Sequence, residues 1–241
     1  TYFQLSASEK KPITVKKLIE TANSTSTIIK ALIDKEIFEE YYIQVDRVNF
    51  TGKTKEGQLQ LSEPQQTAFD GIKQSFIDRE VCLLHGVTSS GKTEIYIKLI
   101  EEYIKEEKQI LYLLPEIALT TQLVGRLRGY FGNRVAVFHS KYSNNERVEV
   151  WQQVLEQSPK AQIVIGARSA LFLPFSNLGL IIVDEEHEQT FKQVDPSPRY
   201  HARDASIVLA NSHKAKVILG SATPSIESYF NAQSGKYGLV E

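Results

Sequence analysis

The feature that most constrains the fold is the octet Gly86-Val87-Thr88-Ser89-Ser90-Gly91-Lys92-Thr93, which fits G-x-x-x-x-G-K-[ST]. By composition, one such match arises by chance in about 1% of chains of this length, so context has to decide. An apolar run, Val81–His85, leads in, and a helix-like stretch, 94–104, leads out. That strand–loop–helix order is what a phosphate-binding loop requires. The glycines let backbone N–H groups turn inward around phosphates, and the helix N-terminus adds partial positive charge. Lys92 supplies a full charge for β- and γ-phosphates, and Thr93 offers a hydroxyl to Mg²⁺.

From residue 61 onward, apolar runs alternate with amphipathic stretches. The runs fall at 81–84, 110–114, 135–138, 163–165, 180–183 and 217–219, and the amphipathic stretches include 94–104 and 147–156. Most runs are continuous rather than alternating, as strands buried on both faces should be. The pattern predicts an α/β fold, a RecA-like P-loop NTPase lobe with a parallel sheet between helices.

Carboxylates follow the fifth run: Asp184-Glu185-Glu186-His187. Ligands of α/β folds bind at the carboxyl ends of parallel strands. With a phosphate loop upstream, Asp184 is a candidate for Mg²⁺. Glu185 is the candidate base, or the residue that positions water for attack on the γ-phosphate. After the last run stands Gly220-Ser221-Ala222-Thr223-Pro224-Ser225. Ser221 and Thr223 can hydrogen-bond the acidic cluster and relay its state, and His187 is a candidate to couple nucleotide chemistry to this next motif, with capping of the acidic cluster as the alternative. An ordinary turn capping a helix would use the same residue types.

The first fifty residues read as a separate small unit. Two short helices, 12–22 and 26–37, and a strand-like segment, 38–48, suggest a winged-helix-like domain. Residues 51–60 are polar and carry glycine, and read as a linker before a lobe spanning 61–241. The single cysteine, Cys82, lies in an apolar run, so it can build neither a disulfide framework nor a cysteine metal cluster and reads as a buried thiol. The net charge of −1 argues against nucleic-acid binding by overall charge alone, while a local basic groove fits within it. No apolar run approaches the ~20 residues of a membrane span. Residues 1–4 show no signal-peptide pattern. A cytoplasmic monomer is expected. The chain starts with Thr and contains no Met, which points to an internal fragment.

Six strings occur in order: 86–93 with Glu94-Ile95-Tyr96; Leu114-Pro115-Glu116-Ile117-Ala118-Leu119-Thr120; Gly166-Ala167-Arg168-Ser169-Ala170-Leu171-Phe172; Asp184–His187 with Phe191-Lys192-Gln193; Pro198-Arg199-Tyr200-His201-Ala202-Arg203-Asp204; and 220–225. GKT, then DE-x-H, then SAT is the order of superfamily-2 helicases. The full set resembles the primosomal replication-restart DNA helicases over residues 61–241, and residues 1–50 fit that family's winged helix more loosely. The resemblance implies ATP-dependent 3′→5′ unwinding of DNA and primosome assembly. It also implies DNA forks and single strands, a single-strand-binding protein and primosome proteins as partners.

The resemblance assigns adenine reading to Gln65, for which a polar helix start is the plainer alternative. It assigns the single-strand track to Arg168 and Ser169, and base stacking or phosphate holding to Phe191, Lys192, Arg199 and Tyr200 in an aromatic-rich loop, 188–203. Aromatic side chains packed into their own domain are the alternative for that loop. Ser89 stands where glycine is usual. The family's second lobe with its arginine finger, its zinc region and its domain that captures a DNA 3′ end have no counterpart in these residues, so poor hydrolysis by this segment alone is expected. Another superfamily-2 translocase and a non-enzymatic DNA- or protein-binding module are the competing readings.

Overall fold

The computed structural model describes residues 13, 15–35, 37–38, 54–55, 57, 59–88, 90–139 and 142–241. The chain forms two compact units, Thr1–Val45 and Asp46–Glu241. In the first, helices α1 (Val15–Ala22) and α2 (Ser26–Asp34) match the two predicted helices, and each buries one side chain, Leu18 and Ile29 respectively. The strand expected over 38–48 lies, apart from Phe38, outside the described residues.

The second unit is built on a seven-stranded sheet. Its strands in chain order are β1 (Val81–His85), β2 (Gln109–Leu113), β3 (Val135–Phe138), β4 (Ile163–Gly166), β5 (Leu178–Asp184), β8 (Lys216–Ser221) and β9 (Gly238–Val240). The spatial order is β3-β4-β2-β5-β8-β1-β9, with every neighbouring pair parallel. A small antiparallel pair, β6 (Lys192–Gln193) and β7 (Tyr200–His201), lies apart from it. All six predicted runs are strands. β9 is additional: three residues are too few to show a period, and pairing with β1 defines the strand rather than local preference.

The continuous apolar runs are explained by burial on both faces. Leu83, Leu111, Ile181 and Leu219 face one core, which α6 (Asn144–Leu155), α7 (Ala202–His213) and α8 (Ile226–Gln233) cover with Val154, Ala210 and Ala232. Cys82, Tyr112, Ile182 and Ile218 face the other. There α3 (Glu63–Asp78), α4 (Lys92–Lys105) and α5 (Thr121–Phe131) contribute Ile72, Ile97 and Leu127. Helix α6 begins at Asn144, earlier than expected, because Ser143 and Glu146 cap its first turn reciprocally. Two described residues of the expected linker are held by the lobe: Lys55 N–H donates to the Gly129 carbonyl (2.9 Å) and Gly57 N–H to Glu101 Oε1 (2.8 Å).

Cys82 is fully buried, and loss of hydration pushes its thiol up to about 11. A thiol reagent at pH 8 should leave it unmodified in the native protein and label it fully after unfolding. Rapid native labelling, read by mass spectrometry, would contradict the packing described.

Candidate active site

Because the strands are parallel, their carboxyl ends share one edge of the sheet, and the segments following β4, β2, β5, β8 and β1 line up there in that order. Asp184 on β5 pairs in register with Gly220 on β8, and Gly220 with Leu84 on β1. The predicted phosphate-loop, acid and hydroxyl segments are therefore immediate neighbours, although about a hundred residues of chain separate the first from the second.

The loop after β1 is held by Gly86 N–H donating to the Ser221 carbonyl (3.1 Å) and by Ser90 N–H donating to the Val87 carbonyl (3.1 Å). Gly91 precedes α4 with φ +86°, a conformation L side chains rarely adopt, and a Cβ there would overlap the Gln65 amide. Val87, Thr88 and Ser90 are exposed around the loop, and Ser89 lies outside the described residues. Lys92 is buried, and its ammonium donates to the carbonyls of Gly86 (2.7 Å) and Val87 (3.2 Å). Those bonds keep the cation inside the loop. A phosphate is a stronger, charged acceptor for the same ammonium.

Asp184 is anchored by two fully buried tyrosines: Tyr96 donates to Oδ1 (3.2 Å) and Tyr112 to Oδ2 (3.1 Å). Glu185 N–H adds a bond to Oδ1 (3.2 Å). Burial raises the Asp184 carboxyl above the usual range, and neighbouring Glu185 adds to this, while the two tyrosines and Lys92 oppose it. A divalent cation favours the ionised form of such a group. Thr93, in the first turn of α4, and Asp184, at the end of β5, carry hard oxygen donors of the kind Mg²⁺ takes along with phosphate and water, and would hold the ion. Beyond the bonds from Tyr96, Tyr112 and the Glu185 N–H, one Asp184 lone pair, on Oδ2, is left to accept the ion, which when bound would neutralise phosphate charge. Tyr96 belongs to the first of the six strings but without a role, and Tyr112 to none; the signal for both is that a buried phenol needs a hydroxyl partner, and each interrupts an apolar stretch.

The hydroxyl segment lies against the acidic cluster, and its Ser225 also caps the following helix. His187 Nδ1 lies 2.7 Å from Ser221 Oγ and 3.7 Å from Glu185 Oε2, and His187 Nε2 lies 3.4 Å from Thr223 Oγ1. Thr223 N–H donates to Ser221 Oγ (3.0 Å). Glu185 itself has φ +52°, held in a strained left-handed conformation at the head of this chain of contacts.

The expected strand track is reshaped. Phe191 is 1% exposed and sits in the core beneath the sheet, so it presents no face to a base. Arg203 is also buried, paired to Glu186 rather than offered to phosphate. Interleaved aromatic and basic residues do not reveal which of them point inward. An exposed aromatic near this loop is Phe172, 63% exposed, in edge-to-face contact with Tyr200 (5.2 Å between centroids). Arg168 joins them by donating to the carbonyls of Lys192 (3.0 Å) and Thr190 (3.4 Å), with Ser169 beside it. Lys192 and Arg199 are exposed. Gln65 is the third residue of α3, and its Oε1 accepts Ser62 N–H (2.9 Å), which is the capping role the plainer reading foresaw; its Nε2 lies against Gly91.

A family model described as DEAD/DEAH box helicase matches residues 62–231, most of the chain. The chain belongs to the DEAD/DEAH box helicase family. A second model, the winged helix domain of PriA helicase from Bacteroidota, matches residues 1–45, in agreement with the winged-helix expectation. Among curated relatives of this helicase chain, the replication restart protein PriA of Bacillus subtilis is 43% identical over 99% of the chain and 30% of its own length. That of Haemophilus influenzae is 46% identical over 88% of the chain and 30% of its length. The resemblance drawn from the six strings is thus borne out, and the helicase chain spans about a third of the length of these relatives. The helicase MrfA bound to DNA and AMPPNP shares the fold, with a TM-score of 0.56 and 23% identity over 77% of the chain and 27% of MrfA. RecG bound to a three-way DNA junction does so with a TM-score of 0.51 and 20% identity over 75% of the chain and 23% of RecG.

A Cβ at Gly220 would overlap the Tyr96 hydroxyl and stand 3.3 Å from Asp184 Oδ1. Gly220→Ala is expected to destabilise the lobe by about 1–3 kcal/mol through overpacking. An unchanged urea midpoint would show that the Tyr96–Asp184 anchor tolerates displacement.

Proposed function

We propose that this chain is the ATP-binding lobe, with its winged-helix-like segment, of a replication-restart helicase that hydrolyses ATP to drive 3′→5′ movement on DNA and supports primosome assembly. The observation that carries the reading is the alignment along one sheet edge of the phosphate loop, the anchored Asp184 and the His187–Ser221–Thr223 contacts. Identity of 43% and 46% to replication restart proteins PriA supports it. In this reading residues 1–50 form the winged-helix-like domain, 51–60 the connection and 61–241 the lobe; the division into two compact units near residue 45 supports that partition.

Within the lobe, backbone amides of 86–93 and the Lys92 ammonium hold the phosphates, while Thr93 and Asp184 hold Mg²⁺. Glu185 orients the attacking water and accepts its proton. His187, Ser221 and Thr223 transmit the state of Glu185. Gln65 reads adenine from beside Gly91, giving up its capping bond. Forked DNA and single strands are the substrates, with a single-strand-binding protein and primosome proteins as further partners. The setting is cytoplasmic; among the described residues no helix is long and apolar enough to cross a membrane. Phe172 and Tyr200, flanked by Arg168, Lys192 and Arg199, form the stacking platform for a single strand, in the place first given to Phe191.

Titration with a fluorescent ATP analogue and Mg²⁺ tests the phosphate site: Lys92→Ala should weaken binding at least about tenfold, ~1.4 kcal/mol or more. Equal affinity in wild type and variant would remove the loop from the reading. Stacking on one base contributes about 1–3 kcal/mol, so Phe172→Ala should weaken single-strand binding on the order of tenfold by fluorescence anisotropy. Unchanged affinity would place the strand elsewhere.

A further inference from the structure

One acid beside the phosphate loop has no part in the chemistry assigned so far. Glu94 is the third residue of α4 and lies in its first turn. Its carboxylate reaches back toward the loop: Oε2 would stand 3.3 Å from a Cβ at Gly91, and the Gln65 amide meets that same point. Oε1 is paired with the Arg126 guanidinium of α5. The glutamate side chain is 24% exposed and the arginine side chain 41%, so the pair sits at the mouth of the site rather than in the core.

An acid in the first turn of a helix is favoured in the free protein, because the helix N-terminus carries partial positive charge. The N-terminus of α4 is also the one that receives the phosphates in the reading above. A carboxylate beside it repels them and cancels part of the positive potential that draws them in. Partly exposed ion pairs add little to stability, so stability is a poor account of this one. Neutralising Glu94 is a better account. The Arg126 charge also reaches the Tyr112 phenol, where it opposes the upward push of burial and of Asp184. Its field therefore acts on two walls of the site, the head of α4 and the tyrosine that anchors Asp184.

We propose that Arg126 is a positioning residue for the nucleotide: by holding and neutralising Glu94, it keeps the mouth of the phosphate loop electropositive enough to take a nucleoside triphosphate. The proposal rests on the phosphate-site reading given above. Arg126 acts through Glu94 and not by touching phosphate, so its loss harms binding only while Glu94 keeps its charge. Glu94 in turn favours the head of α4 when no phosphate is there. The pair thus suits the loop to both its empty and its filled state.

The test is a double-mutant cycle in the full-length protein, read by titration with a fluorescent ATP analogue and Mg²⁺. Arg126→Ala should weaken binding on the order of tenfold, because it leaves a like charge unpaired beside the phosphates. Glu94→Gln should leave affinity within about threefold of wild type, and the double variant should return to within about threefold as well. A loss below about threefold for Arg126→Ala would overturn the proposal. So would a double variant more than about threefold weaker than wild type, the mark of an arginine that touches the nucleotide itself or only braces α5 against α4. A loss of more than about threefold for Glu94→Gln alone would do the same, since the carboxylate would then be helping to bind. Should Arg126→Ala not fold, Arg126→Gln, which keeps a long side chain and loses the charge, decides by the same criteria. A wild type that binds the analogue no better than Lys92→Ala would overturn the phosphate-site reading and this proposal with it. That outcome is distinct from a binding wild type matched by Arg126→Ala, which overturns this proposal alone.

Discussion

The hydrogen-bond ladder joining β5, β8 and β1 is the constraint on which the site depends. Its register sets Asp184 beside Gly220 and His85 beside Ser221, and sequence separation becomes irrelevant once the strands pair. The ladder forms because three apolar strands can be buried on both faces only if helices cover both sides of the sheet. Parallel connections then bring every strand's carboxyl end to a common edge. The chemistry-bearing residues lie just past the last apolar residue of each strand, where the core ends and backbone N–H groups become available to a ligand.

Two polar arrangements within the core set the angles of the acids. Tyr96 and Tyr112 approach Asp184 from the helix side and from the neighbouring strand, so its carboxylate is oriented before any ligand arrives. Glu186 is held on the other side by Arg203 and two serines. Breaking a buried pair by removing one partner typically costs about 3–5 kcal/mol, because the remaining charge is stranded. Between these two anchors stands half-exposed Glu185, in a left-handed backbone conformation.

Much of this was legible in the residue pattern. Continuous apolar runs identified the sheet, and the octet at 86–93 and the acids at 184–187 identified its working edge, because each needs residue types that few other structures demand. Inward and outward directions within an irregular loop were not legible. Phe191 and Arg203 carry the side chains of a nucleic-acid contact but belong to the core, whereas Phe172, on a short helical turn after β4, is exposed to solvent. Periodicity gives no guidance where there is no regular element. The role of Glu186 escaped notice for a related reason: three consecutive acids look alike in sequence, and only the turn after β5 sends them in different directions. β9 was too short to register, and the packing of Gln65 against Gly91 depends on two helices meeting.

The central claim is that Lys92 and Asp184 face a phosphate held by the loop between β1 and α4. A crystal structure with a non-hydrolysable ATP analogue and Mg²⁺ tests it most directly. The account predicts phosphates within the backbone amides of 86–93, Lys92 Nζ transferred from the Gly86 and Val87 carbonyls to phosphate oxygen, and Asp184 turned toward the ion with its tyrosine bonds intact. Nucleotide bound elsewhere, or Lys92 still donating to those two carbonyls with nucleotide present, would contradict it.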